Sequence, residues 1–266
     1  MTEHSRRYTS NLQKGGALIQ ECRTLLSEWA PNKSANAFEN RVASNNLLGK
    51  VSRRRVRDIV KRVFVRRFDI RTTPGPEPLR RLLETGASAN VIDRILYYHT
   101  ALAEDLLYDF VTHFLYERHA EGGFRVSIRE TEGFLTGIER AGRLRRWTPA
   151  VRTRVARGLL AACRDFHVLE GANRKSFAPV FMPMEVFLYI AHHLKGRIAS
   201  ASKILEHSDW RLFLLNPGAV EQHFLSAHQE SWLKYHSAGR VVRIDWSYSN
   251  VSEVVDALAQ RSHAHA

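Results

Sequence analysis

The sequence predicts a mainly α-helical fold: an N-terminal helical bundle, then a C-terminal α+β part with a winged-helix-like segment whose wing is a β-hairpin. Three observations carry this. Apolar residues recur at three- and four-residue spacing over most of the first half. Helix start and stop signals bracket those stretches at short intervals. In the second half, two helical patterns and a hairpin pattern follow one another between Ile128 and Met182, the order helix, helix, wing.

Each element has its own signal. Asn11 to Trp29 carries Leu12, Leu18, Cys22, Leu25 and Trp29 on one stripe, and Pro31 ends it. Ser34 is placed to cap a short helix to about Asn45, and Gly49 closes it. Ser52 caps the next helix, to about Phe68. Thr72-Thr73-Pro74-Gly75-Pro76 is a break, followed by a short helix from Pro76 to Glu84 that Gly86 stops. Ser88 to about Arg118 reads as one long helix, ended by Gly122-Gly123. Phe124 to Ser127 fits a short strand and Ile128 to Ala141 a helix. Thr148 and Pro149 supply an N-cap and a first-turn proline for a helix to about Asp165. Phe166 to Met182 then reads as a β-hairpin with its tip at Glu170 to Lys175. Pro183 to Leu194 is helical, with Gly196 at its end. Helices near Ser202 to Leu215 and Ala219 to Ala227, strands at Trp232 to His236 and Arg240 to Trp246, and a last helix through Val251, Val254, Val255 and Leu258 complete the chain. The expected division is 1–87 for the bundle, 88–121 for a connecting helix and 122–266 for the α+β part.

Charge narrows the function. Lys and Arg total 40 against 27 for Asp and Glu, a formal net charge of +13. A GC-rich genome inflates arginine with no functional cause, so clustering has to decide. Lys50 to Arg81 holds 12 cations and 3 anions, and Ile138 to Lys175 holds 10 and 3. Local cationic excess rich in arginine suits phosphate, which the guanidinium grips bidentately.

On the Ser52 to Phe68 helix, Val56, Ile59, Val60, Val63 and Phe64 form an apolar stripe. Arg54, Arg57 and Lys61 flank it on one side, and Arg55, Arg62 and Arg66 on the other; Arg53 leads the helix and Arg67 falls inside the apolar arc. On the Thr148 to Asp165 helix, Val151, Val155, Leu159, Ala162 and Cys163 face inward, while Arg154, Arg157 and Arg164 surround the small Ala161 on the other side. A helix that enters a DNA groove needs such a face of long cations around a residue that permits close approach. Arg145 and Arg146 precede it, and Asn173, Arg174 and Lys175 sit at the hairpin tip, where a wing meets phosphate. The expected DNA contacts are therefore Arg53, Arg54, Arg57, Lys61, Arg62, Arg66, Arg145, Arg146, Arg154, Arg157, Arg164, Arg174 and Lys175. The plainer reading of both helices is a solvated basic face whose arginine stems cover apolar neighbours.

Chemistry of other kinds finds no motif. G-x-x-x-x-G-K-[ST], G-x-G-x-x-G, H-E-x-x-H and G-x-S-x-G are all absent. No histidine pair has the i, i+4 spacing of a helical metal site, and the two cysteines, Cys22 and Cys163, are far apart, which suits a reducing compartment. The expectation is no catalysis, no metal and no cofactor. The most apolar stretch, Val180 to Leu194, is interrupted by Pro183, Glu185, His192 and His193, so no membrane span is expected and the cytoplasm is the expected address.

Several stretches resemble the BrxA family of bacteriophage-exclusion (BREX) defence systems. They are Tyr8-Thr9-Ser10-Asn11-Leu12-Gln13-Lys14-Gly15-Gly16, Asn45-Asn46-Leu47-Leu48-Gly49-Lys50, the Arg53 to Phe68 helix, Trp147 to Leu169, and Ile244-Asp245-Trp246. The resemblance spans most of the chain, and none of its motifs is a catalytic signature. It implies a small accessory protein encoded with a methyltransferase and large ATPase-type components, acting in phage defence, with a two-part helical fold and DNA binding. Double-stranded DNA is the expected partner, with other BREX proteins as further candidates. An adaptor that docks its basic faces on an acidic protein, and an RNA binder built on the N-terminal bundle, are the alternatives. The winged layout favours duplex DNA, because a helix enters the B-form major groove and not the narrow A-form one.

Overall fold

The computed structural model describes residues 8–10, 16–30, 34–68, 75–144, 146–239 and 241–264. The expected helix start at Asn11, the Pro31 stop, the Thr72 to Pro74 break and the strand start at Arg240 lie outside these residues. The fold is mainly α with a small antiparallel β part, as the sequence predicts. Its elements are α1 (Ile19–Ser27), α2 (Ala35–Ser44), α3 (Arg53–Ile59), α4 (Val65–Phe68), α5 (Glu77–Glu84), α6 (Ala89–Ala103), α7 (Asp105–Asp109), α8 (Tyr116–Ala120), β1 (Arg125–Val126), α9 (Ile128–Arg140), α10 (Pro149–Asp165), β2 (Leu169–Glu170), β3 (Lys175–Phe177), α11 (Met184–Lys195), α12 (Ala201–Leu205), α13 (Pro217–Gln229), β4 (Leu233–Ala238), β5 (Val241–Trp246) and α14 (Val251–Ala264). Two π-helical segments, Val60–Phe64 and Phe110–Leu115, join α3 to α4 and α7 to α8, and a 3-10 helix spans Ser208–Phe213.

Packing divides the chain into two compact units, each assembled from separate stretches. One takes Thr100–Phe181, Ser208–Asn216 and Met1–Leu18; the other takes Ile19–His99, Met182–His207 and Pro217–Ala266. The contacts thus divide the chain differently from the linear three-part scheme: residues of the N-terminal bundle share a unit with the C-terminal helices, and α14 packs on α5.

The second unit is built on a chain of rings. Trp29 meets Phe38 edge-on at 5.0 Å, Phe64 lies 5.7 Å from Phe38, Phe68 follows at 5.1 Å, and His99 lies 5.0 Å beyond. The caps read from sequence are formed here: Ser34 accepts from the Ala37 amide, Ser52 from that of Arg55. The first helix is shorter than its apolar stripe. Leu18 has a positive φ of 51°, which helical backbone cannot contain, so α1 starts only at Ile19.

In the first unit, Phe110, Phe114 and Phe134 pack mutually at 5.3–5.5 Å, and Leu106, Leu107, Leu115, Leu135, Leu159 and Phe166 are buried. The expected long helix is interrupted at Glu104, where φ −121° and ψ 87° leave the helical region. Glu104 is buried there, and its carboxylate accepts from the hydroxyl of the sequence-distant Thr9 at 2.9 Å. A small sheet of order β1-β3-β2 completes the unit, antiparallel throughout.

Candidate nucleic-acid interface

Helix α10 forms as its caps dictate. The Thr148 hydroxyl accepts from the Val151 amide at 3.4 Å, and Pro149 fills the first turn, where its missing N–H costs nothing. Val155, Ala156, Leu159, Leu160, Ala162 and Cys163 are buried, and Arg154, Arg157 and Arg164 are exposed around the half-buried Ala161. Arg152 is not on that face. It donates to Glu139 of α9 at 2.8 Å and fixes the two helices together.

The hairpin beside α10 is narrower than the sequence suggests. β2 and β3 pair only from Leu169↔Phe177 to Glu170↔Ser176. Gly171 turns the chain with φ +90°, and a Cβ there would meet the Arg174 carbonyl oxygen at 2.1 Å, so only glycine fits. The tip is held from inside: the Lys175 ammonium donates to the carbonyls of Gly171 and Ala172. Lys175 is 8% exposed, and burial, reinforced by the nearby Arg164 charge, lowers its pKa. Arg174 points outward.

On its other edge β3 pairs with β1, Arg125 opposite Ser176 and Val126 opposite Lys175. Beside that pairing, between residues 51 and 49 positions apart, lies a cleft of about 550 Å³. Its walls come from five elements: Arg118 of α8, Arg125 and Val126 of β1, Ser127, Ile128 and Glu130 at the start of α9, Arg157, Leu160, Ala161 and Arg164 of α10, and Ala172 to Lys175 of the hairpin. Val126, Leu160 and Lys175 are buried and form the bottom, while Arg125, Arg157, Arg164 and Arg174 are exposed and form the rim. Glu130 is the one carboxylate among the described lining residues, and it is already engaged. It accepts from the Ser127 hydroxyl at 2.7 Å and amide at 2.8 Å, and pairs with Arg118 at 2.8 Å. The Ser127 hydrogen bonds, then Arg118, hold its pKa below the usual carboxylate range against the opposing effect of burial.

Of the sequence-derived contacts, the fold brings Arg157, Arg164, Arg174 and Lys175 to this cleft. Arg154 stands outside it with its Nε 3.3 Å from the Ala150 carbonyl oxygen, Arg146 is exposed, and Arg145 lies outside the described residues. Arg118 and Arg125 were missed. They sit on a helix end and a two-residue strand, and the one sequence signal is that Arg125 alternates with the apolar Val126.

The other six contacts lie on the basic helix of the second unit, where Arg53, Arg54, Arg57, Lys61, Arg62 and Arg66 are all exposed. Lys61 and Arg57 reach the buried Glu39 carboxylate at 3.1 and 3.8 Å, and Arg62 reaches Asp58 at 3.4 Å. Arg67 is buried, as its place in the apolar arc implies, with Nη1 3.1 Å from Cys22 Sγ.

Among the described residues no group of three or more His, Cys, Asp or Glu could hold a metal ion, and no helix is long and apolar enough to cross a membrane. No curated protein sequence matches the chain. The sequence profile of the BrxA family matches residues 6–194, a span that contains the whole arginine-lined cleft, and the chain belongs to the BrxA family.

Proposed function

We propose that this chain is a non-enzymatic, double-stranded-DNA-binding accessory protein of a bacteriophage-exclusion defence system, acting in the cytoplasm and held to DNA largely through phosphate contacts. One observation carries the reading: five arginines from α8, β1, α10 and the hairpin converge on one cleft around the small Ala161. The element order α8, β1, α9, α10, β2, β3, with β1 added to the hairpin's inner strand, supports a winged-helix reading. In it α10 serves as the groove-facing helix and Arg174 as the phosphate contact of the wing. Arg53, Arg54, Arg57, Lys61, Arg62 and Arg66 supply a second basic surface. Family membership supports a place beside other BREX components, the methyltransferase and ATPase-type proteins among them.

The test is a fluorescence-anisotropy titration of duplex DNA, single-stranded DNA and duplex RNA at several salt concentrations. Each neutralised phosphate steepens the plot of log K against log[salt] by about 0.9 for duplex DNA. Changing Arg157 and Arg164 together to Ala is expected to make the slope shallower by up to about 1.8, alike for all duplex sequences. An unchanged slope and affinity in a folded variant would remove α10 from the interface. Weak DNA binding at the outset, with the variant instead releasing a BREX protein in a pull-down, would establish the adaptor role.

A further inference from the structure

A surface that meets only phosphate needs cations and little else, but this cleft is apolar at its bottom. Val126 and Leu160 are buried there, the Ala161 methyl group lies beside them, and Ile128 stands at the edge with 37% of its surface exposed. The one cation at the bottom, Lys175, has its ammonium turned to the Gly171 and Ala172 carbonyls, and Arg125, Arg157, Arg164 and Arg174 form the exposed rim. The volume, about 550 Å³, falls within the roughly 300–1,000 Å³ of pockets that enclose a small organic ligand. Asn173, exposed at the hairpin tip on the same cleft, offers an amide donor and acceptor.

An apolar floor, a ring of guanidinium groups and one exposed amide match the three parts of a nucleotide: a flat base face, a phosphate and a polar base edge. We infer that the cleft takes a single unstacked nucleotide, with the base against Leu160, Ala161 and Ile128 and the flanking phosphates on the rim arginines. This rests on the reading of the cleft as a nucleic-acid interface and adds what part of the nucleic acid enters it. Removing a base from a duplex stack costs free energy, least for a base that is already unpaired. The site therefore prefers a bulge or mismatch over perfect duplex. Glu130 does not repel the incoming phosphate fully, because its carboxylate is held by Ser127 and screened by Arg118.

The same chemistry would accept a nucleotide within a strand or a free one, and the experiment separates them. The full-length chain is titrated against a 30-base-pair duplex and against the same duplex carrying one bulged 2-aminopurine, by anisotropy and by 2-aminopurine emission. Free dAMP and ATP are then added as competitors. The expected result is at least tenfold tighter binding of the bulged duplex, a change in 2-aminopurine emission, and competition by free nucleotide only at millimolar concentration. Competition at micromolar concentration without binding of either duplex would keep the nucleotide pocket but assign it to a free ligand. Equal affinity for both duplexes with unchanged emission would overturn the inference and leave the DNA-binding reading standing; no binding to any probe would overturn both. Ala161→Leu, which fills the floor without removing charge, is expected to bring the bulged-to-paired ratio within twofold. Ile128→Ser, at an exposed first-turn position, gives the same reading if Ala161→Leu does not fold. A preference that survives in the folded variant would overturn the placement of the base.

Discussion

Arg118 and Glu130 form an ion pair, Nη2 to Oε1 at 2.8 Å, that ties the end of α8 to the first turn of α9 across the short strand β1. The same carboxylate closes a capping box with Ser127. One side chain therefore caps a helix, positions a strand and offsets an arginine of the cleft.

These roles can be separated. Glutamine serves at the third position of a capping box as glutamate does, so Glu130→Gln keeps the cap and loses the ion pair. At partly exposed groups that loss costs a few tenths of a kcal/mol, whereas Glu130→Ala, which loses both, costs about 1 kcal/mol. Both variants release Arg118 and remove the cleft's carboxylate. Both are expected to bind duplex DNA more tightly and with a steeper salt dependence than the parent. Thermal melts and salt titrations check this; unchanged DNA affinity would mean that Arg118 meets no phosphate.

Acid stability should be governed by two buried histidines of the second unit. Burial, with the facing His193 adding to it, lowers the His99 pKa to about 3. His99 Nε2 lies 2.8 Å from the Tyr189 hydroxyl. His192 is lowered to about 4, mainly by burial, and its Nδ1–H donates to the Leu188 carbonyl at 2.8 Å. Unfolded, each imidazole takes its proton near pH 6.5. The unfolded state therefore binds more protons as pH falls from about 6.5 toward 3–4, and the stability present above 6.5 is progressively lost over that window. Between pH 7 and pH 5 the expected loss is about 1–2 kcal/mol per histidine. Urea unfolding at both pH values is the measurement. A His99→Phe/His192→Phe variant should show a flatter dependence, and an equally steep one would discount these two groups.

Local signals predicted local structure well. Ser34, Ser52 and Thr148 all cap helices because a hydroxyl three residues before an orphan amide needs no help from the rest of the fold, whereas Ser127, expected at the end of a strand, caps α9. The interruption at Glu104 was not legible: the hydroxyl that its carboxylate accepts from lies 95 residues away. The cleft was half legible. Arg157, Arg164 and Arg174 lie on one helix face and one turn, which periodicity reveals. Arg118 and Arg125 reach the cleft only through the pairing of β1 with β3, and nothing in their neighbours encodes that pairing.

The cations of the basic helix are not equivalent. Glu39 has a side chain only 8% exposed and holds both Lys61 and Arg57, so part of their charge is spent within the protein. Among the described residues Arg53 and Arg54 have no ion-pair partner. Changing Arg53 and Arg54 to Ala is expected to leave the melting temperature unchanged and make the salt slope shallower by up to about 1.8. Changing Arg57 and Lys61 should cost about 1 kcal/mol, since exposed partners are screened but a buried carboxylate is left uncompensated. Adding Glu39→Gln should restore that stability. If the two pairs behave alike in both assays, the neutralisation by Glu39 has no consequence.

The two cations of the hairpin tip should also separate. Arg174 is exposed and lines the cleft, so Arg174→Ala is expected to weaken duplex binding and flatten the salt slope by up to about 0.9, with the melting temperature unchanged. Lys175 points inward and its ammonium serves the carbonyls of Gly171 and Ala172. Lys175→Met keeps the aliphatic stem and leaves two carbonyls of the turn without their donor, at a cost of about 1–3 kcal/mol. Its DNA affinity should then fall only as far as the tip loses order, with the salt slope intact. Hydrogen exchange at the Ser176 and Phe177 amides reports the tip directly: faster exchange in Lys175→Met, unchanged exchange in Arg174→Ala. The reverse pattern, a lost phosphate contact in Lys175→Met with the hairpin amides still protected, would show that Lys175 turns outward to meet DNA.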